Sequence, residues 1–145
     1  MLVTVQGALI AAIVLIPRRH AWSDQVVLTW LAWVAIATAS LLGMWGAINL
    51  GRGLTPLPLP NGAVELVTRG PYRWIRHPIY SAVILGMFGI AIRSRTPVVL
   101  AFAAVLTLFL AAKARWEERH LRRAFAGYTE YKQRAGRFIP GLGRR

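Results

Sequence analysis

Most side chains able to do chemistry in this 145-residue sequence fall in two polar segments. The first runs Thr68-Arg69-Gly70-Pro71-Tyr72-Arg73-Trp74-Ile75-Arg76-His77-Pro78-Ile79-Tyr80. Gly70-Pro71 marks a turn. Pro78 suits the first position of a helix, where its missing N–H costs nothing. His77 then stands at the helix mouth, where the dipole and free N–H groups favour an anion such as a carboxylate. Tyr72, Trp74 and Tyr80 add aromatic faces and hydroxyls, a composition that also fits an interfacial aromatic–arginine belt. The second segment is Trp116-Glu117-Glu118-Arg119-His120-Leu121, continuing through Phe125, Tyr128 and Tyr131. Read as a helix, it places Glu117, Leu121, Ala124 and Tyr128 on one face. Glu118 and Arg122 form an i,i+4 pair on a neighbouring face. A carboxylate on an apolar face is costly without a partner. Glu117 therefore either meets a ligand or pairs with Arg73, Arg76 or Arg115.

Other chemistries are excluded by what is missing. No Gly-x-Gly-x-x-Gly follows a strand, and there is no Walker loop or His-Glu-x-x-His. The Gly-x-Ser-x-Gly nucleophile elbow is absent. With no cysteine, three histidines (His20, His77, His120) and five scattered acids, neither thiolate catalysis nor a metal site is expected.

The elements that must position these segments are apolar. Hydrophobic residues make up 56% and charged residues 16%, yet the net charge is +13. Soluble domains carry about 25% charge, so a membrane protein with cationic loops fits better than a nucleic-acid binder. Four runs emerge as spans, at about 1–17, 26–50, 77–92 and 96–113. The first lacks a positive n-region and a small-x-small cleavage site before Pro17-Arg18-Arg19, so a retained helix is expected rather than a signal peptide. Ala35, Ala39, Gly43 and Ala47 recur every four residues, as do Gly7 with Ala11 and Ala82 with Gly86. Small residues at this spacing are packing seams for helices in lipid, within one chain or between two. Four crossings put the 51–76 loop and the C-terminal tail on one side with fourteen Lys and Arg, against four on the other. The positive-inside rule makes the richer side cytoplasmic. The expected architecture is all-α: one domain, 1–145, of about four transmembrane helices plus a C-terminal cytosolic amphipathic helix. The segments 68–80 and 114–140 lie together on the cytoplasmic face.

Taken together, Gly70-Pro71-Tyr72-Arg73-x-x-Arg76-His77-Pro78-x-Tyr80, Glu117-Glu118-x-x-Leu121, Phe125, Tyr131 and Arg137-x-x-Pro140 resemble the signature of the isoprenylcysteine carboxyl methyltransferase family. The wider group includes phospholipid N-methyltransferases. The resemblance covers residues 51–140, and Ser81 stands where relatives often have glycine. It implies a small multi-span helical enzyme that uses S-adenosylmethionine without a Rossmann fold. The cofactor pocket would lie at the cytosolic face, closed by the C-terminal segment, with a lipophilic substrate entering from the bilayer.

By that resemblance, Tyr72, Arg76, His77, Tyr80, Glu117 and Glu118 are cofactor-binding candidates. Arg137 is a tail arginine approaching the reacting substrate group, and Glu117 is a second catalytic candidate. The implied reaction is methyl transfer to a membrane-embedded acceptor. A carboxylate acceptor needs no general base; an amine needs one, with Glu117 or Glu118 as candidates. The alternatives are a non-catalytic membrane protein whose basic tail binds anionic lipid or a partner, and an NADPH-dependent reductase of similar architecture. Nucleic acid is not an expected partner, and the oligomeric state is left open.

Overall fold

A computed structural model describes residues 2–17, 21, 25–51 and 66–144. Among these residues five α-helices occur in order: α1 Leu2–Leu15, α2 Val26–Leu50, α3 Pro78–Ser94, α4 Pro97–Ala124 and α5 Tyr128–Arg134. A 3-10 turn, Gly70–Arg73, precedes α3. Among the described residues, the one extended pairing is a parallel bridge between Ile75 and Gly136. Arg18, Arg19, His20, Arg52 and Arg145, which entered the charge and metal-site arguments, lie outside the described residues.

Prolines set two of the helix starts. Pro78 opens α3 and Pro97 opens α4, each at a position whose N–H is not needed. Between them the chain reverses on Arg95, which takes the left-handed conformation at φ 52°. Both α2 and α4 are long and apolar enough to cross a membrane, whereas α1 and α3 are shorter apolar helices. The outer side of α2 exposes Trp30, Leu31, Val34, Leu41, Met44 and Ile48. So large an apolar surface is unusual on a water-solvated monomer.

The small residues of α2 and α3 serve packing within this chain, whereas Gly7 and Ala11 of α1 are exposed and a Cβ added at Gly7 would meet nothing within 4 Å. The most extensive helix contact among the described residues is that of α2 with α3. A Cβ added at Gly43 would stand 3.3 Å from Ala82, and one at Gly86 would stand 3.3 Å from Ala39. At Gly89 it would come within 2.8 Å of Ile36 and 3.0 Å of the Ala32 carbonyl oxygen. On the other side of α3, a core of Ile13, Ala91, Val99, Ala103, Leu106 and Leu110 joins α1, α3 and α4.

Two expectations about α4 change. The helix stops at Ala124, Phe125 turns extended (φ −126°, ψ 114°), and a separate helix starts at Tyr128. Tyr128 therefore does not continue the Glu117–Leu121–Ala124 face. The break lets the chain double back toward the 3-10 turn. Second, the buried line on α4 runs Val99, Ala103, Leu106, Leu110, Lys113, Ala114 and Glu118. It includes Glu118, and Ala124 is exposed.

Candidate functional site

The site is assembled from three separated stretches: residues 70–81, the polar end of α4, and the tail after α5. Gly70 is needed where the first stretch begins. Its φ is +58°, and a Cβ there would collide with the Asn49 carboxamide on α2. Glycine meets both demands. The turn then buries Pro71 and Tyr72 and delivers Arg76 and His77 to the start of α3.

The tail is stitched to this stretch by backbone hydrogen bonds. Gly136 N–H donates to Trp74 O (2.9 Å), Arg76 N–H to Gly136 O (2.8 Å), and His77 N–H to Arg137 O (3.1 Å). Ser81 Oγ donates to Phe138 O at 2.7 Å. The Tyr131 hydroxyl reaches Tyr72 O at 2.6 Å. The tail thus satisfies the His77 N–H that an anion at the helix mouth was expected to use.

Arg76 fastens the closure. Nη1 donates to Lys132 O (2.8 Å) and Ala135 O (3.1 Å), Nη2 to Gly143 O (2.9 Å), and Nε to Glu118 Oε1 (3.1 Å). Four donors of a buried guanidinium are engaged within the chain, so Arg76 positions the tail in this conformation.

Glu118 is the electrostatic centre. Besides Arg76, it accepts Arg137 Nε at 3.0 Å on Oε1 and Arg137 Nη2 at 2.9 Å on Oε2, a bidentate pair. Its expected pairing with Arg122 gives way to this arrangement. The apolar part of α4 ends near Ala112, so Glu118 lies in the helix's polar extension. Burial would raise its carboxyl, but the neighbouring His77, Arg137 and Arg76 together hold it well below the usual carboxylate range. Glu118 also supports Arg137 in its charged form.

Glu117 faces the other side of His77. Its Oε1 accepts the Tyr80 hydroxyl at 2.5 Å, and Oε2 lies 3.7 Å from His77 Nδ1. None of Arg73, Arg76 and Arg115 is in ion-pair contact with it among the described residues. The His77 ring stacks on Tyr80, with centroids 5.3 Å apart and planes 4° apart, and meets Phe138 at 6.0 Å. His77 Nε2 lies 3.4 Å from Glu118 Oε1 without hydrogen-bond geometry, and is buried without a hydrogen-bond partner among the described residues. The buried Tyr128 hydroxyl is likewise unpartnered. Burial pushes the Tyr72 phenol up to about 12, so it stays protonated and able to donate.

His77, Tyr80, Glu117, Glu118, Arg76 and Arg137 therefore lie together, while Tyr72 contributes a carbonyl and a buried ring nearby. Sequence reasoning missed Lys113, whose Nζ lies 5.2 Å from the centre of the Tyr80 ring. Its spacing of one turn from Glu117 was the available signal. It also missed Ser81 and Phe138, for which no local signal existed. Among the described residues, no group of three or more His, Asp or Glu is placed to hold a metal ion.

Residues 27–127 match the phospholipid methyltransferase family. The chain is 32% identical over 138 residues to a nickel-cobalt-cadmium resistance protein of Alcaligenes xylosoxydans xylosoxydans, covering 92% of this chain and 61% of that protein. It is 32% identical over 137 residues to protein-S-isoprenylcysteine O-methyltransferase B of Arabidopsis thaliana, covering 90% and 67%. A methanethiol S-methyltransferase of Bradyrhizobium diazoefficiens is 30% identical over 125 residues, covering 79% and 41%. The chain thus spans about two-fifths to two-thirds of the length of these relatives.

Proposed function

The chain belongs to the phospholipid methyltransferase family, and on that premise we propose that it is an integral membrane enzyme transferring a methyl group from S-adenosylmethionine to a lipophilic acceptor. One observation carries the reading. Segments 70–81, 113–118 and 135–144 converge on a single cluster in which, among the described residues, His77 Nε2 is buried without a hydrogen-bond partner and Glu117 spends one carboxylate oxygen on Tyr80 while the other lies 3.7 Å from His77 Nδ1.

The donor set fits S-adenosylmethionine, which bears a carboxylate, an ammonium and a sulfonium. Glu117, held by Tyr80 through one oxygen, has a second oxygen suited to an ammonium or to ribose hydroxyls. His77 Nε2, buried near Glu118 but without a hydrogen-bond partner among the described residues, calls for a polar group. When bound, the cofactor supplies an electrophilic methyl group on sulfur. The chain's own residues do the rest by holding and orienting. Tyr80 fixes Glu117, the Glu118–Arg137 pair and Arg76 hold the tail down, and the closed tail excludes water. For in-line displacement, positioning supplies much of the acceleration, and dryness favours loss of the sulfonium charge. A carboxylate acceptor needs no base. For an amine acceptor Glu117 is the better base, because Glu118 is committed to two guanidinium groups.

The same reading includes four crossings of one domain, 1–145, with the 51–76 loop and the tail in the cytoplasm. Helices α1 and α3, at about 21 and 26 Å, are short for a bilayer core of about 30 Å and would rely on snorkelling ends and local thinning. Titration with S-adenosylhomocysteine in detergent tests the site. Saturable binding is expected for the wild type, with loss in His77→Ala and Glu117→Gln; unchanged binding in both variants would reject the assignment. Mass spectrometry of lipid extracts incubated with methyl-labelled S-adenosylmethionine then identifies the acceptor.

A further inference from the structure

Lys113 is buried, with 8% of its surface exposed, in the line of α4 that also carries Leu106, Leu110 and Ala114. An ammonium in such surroundings is costly unless an anion compensates it. Its partners are neutral: Nζ donates to Gln6 Oε1 of α1 at 2.9 Å and faces the Tyr80 ring. Among the described residues, no carboxylate forms an ion pair with it. Glu117 is one turn away, but its Oε1 is taken by the Tyr80 hydroxyl. Four residues along a helix amount to about 6 Å, so Lys113 lies that much nearer the apolar end of α4 than Glu117. A molecule entering from the apolar side meets Lys113 first.

We propose that Lys113 determines acceptor specificity: its buried ammonium receives an anionic group on an apolar-tailed acceptor, exchanging the neutral Gln6 contact for an ion pair beside Tyr80. This rests on the methyl-transfer reading of the same site, and it adds a residue from α4 and one from α1 to it. Gln6 is then a placeholder that satisfies the ammonium while no acceptor is present. The Tyr80 ring links acceptor and Glu117, since its face meets Lys113 and its hydroxyl meets the carboxylate.

The test uses the full chain in detergent, titrated calorimetrically with N-octanoylglycine and with its uncharged carboxamide. The wild type is expected to prefer the carboxylate by about ten-fold, the size of one charge-assisted hydrogen bond. Lys113→Arg keeps the preference and Lys113→Met abolishes it. Gln6→Leu, which leaves the lysine in place, strengthens carboxylate binding by removing its competitor. The proposal is overturned if the wild type shows no preference, if Lys113→Met retains one, or if Gln6→Leu weakens it. S-adenosylhomocysteine binding by the same samples separates the two ideas. Its absence in the wild type rejects methyl transfer and leaves the anion selectivity of Lys113 to stand or fall on the amphiphile titration.

Discussion

Replacing Glu118 with glutamine removes one negative charge from between two guanidinium groups. The Arg76 side chain is 1% exposed, that of Glu118 4% and that of Arg137 24%. Removing one partner of a buried ion pair typically costs about 3–5 kcal/mol, because the remaining charge stays buried and unpaired. Arg76 retains three carbonyl acceptors, at Lys132, Ala135 and Gly143, which places Glu118→Gln near the lower bound, at about 3 kcal/mol. Arg137→Gln leaves Glu118 paired with Arg76 and removes a partly exposed group, so about 1 kcal/mol is expected. The assay is reversible unfolding of detergent-solubilised protein followed by tryptophan fluorescence, repeated over a range of pH. The folded state holds the Glu118 carboxyl below its unfolded value. Between the two values the unfolded chain therefore binds more protons, and stability rises with pH. The contribution is full above the unfolded value of about 4.3 and fades as pH falls toward the folded one. Glu118→Gln should lack that part of the acid slope. A loss under about 1 kcal/mol, with the acid slope unchanged, would refute the view that Glu118 anchors the tail.

Three further outcomes follow from the same geometry. Tyr80→Phe keeps the ring stacked on His77 but frees Glu117; S-adenosylhomocysteine affinity by calorimetry should fall about ten-fold, with thermal stability little changed. Gly70→Ala should cost about 1–3 kcal/mol from positive φ and collision with Asn49, and adding Asn49→Ala should recover the collision part alone in the same unfolding assay. Gly89→Leu should force α2 and α3 apart and destabilise by about 1–3 kcal/mol, while leucine at the exposed, uncrowded Gly7 is tolerated.

The helices and the residues worth watching were legible because their signals are local. Pro78 and Pro97 mark the helix starts, and uncharged runs mark the apolar segments to within a few residues. The every-fourth small residues from Ala35 to Ala47 mark the seam on α2, and the two polar segments mark the site. Periodicity, however, fixes a face only to within neighbouring positions, because successive residues on a helix differ by about 100°. From the helical period Glu117 looked like the acid on the apolar face and Glu118 like an i,i+4 partner of Arg122 on a neighbouring face. In the folded chain Glu118 takes the deeper position, because Arg76 reaches it from 42 residues away and Arg137 from 19. The return of residues 135–144 onto Trp74, Arg76 and His77 and the meeting of Gln6 with Lys113 across 107 residues share that character. Each is a hydrogen bond between groups whose separation along the chain leaves no period or local motif. The sequence by itself determined which groups could do chemistry and which helices carry them. Tertiary packing decided which carboxylate is clamped and which remains available, because burying a charge is tolerable only where distant segments bring it a partner.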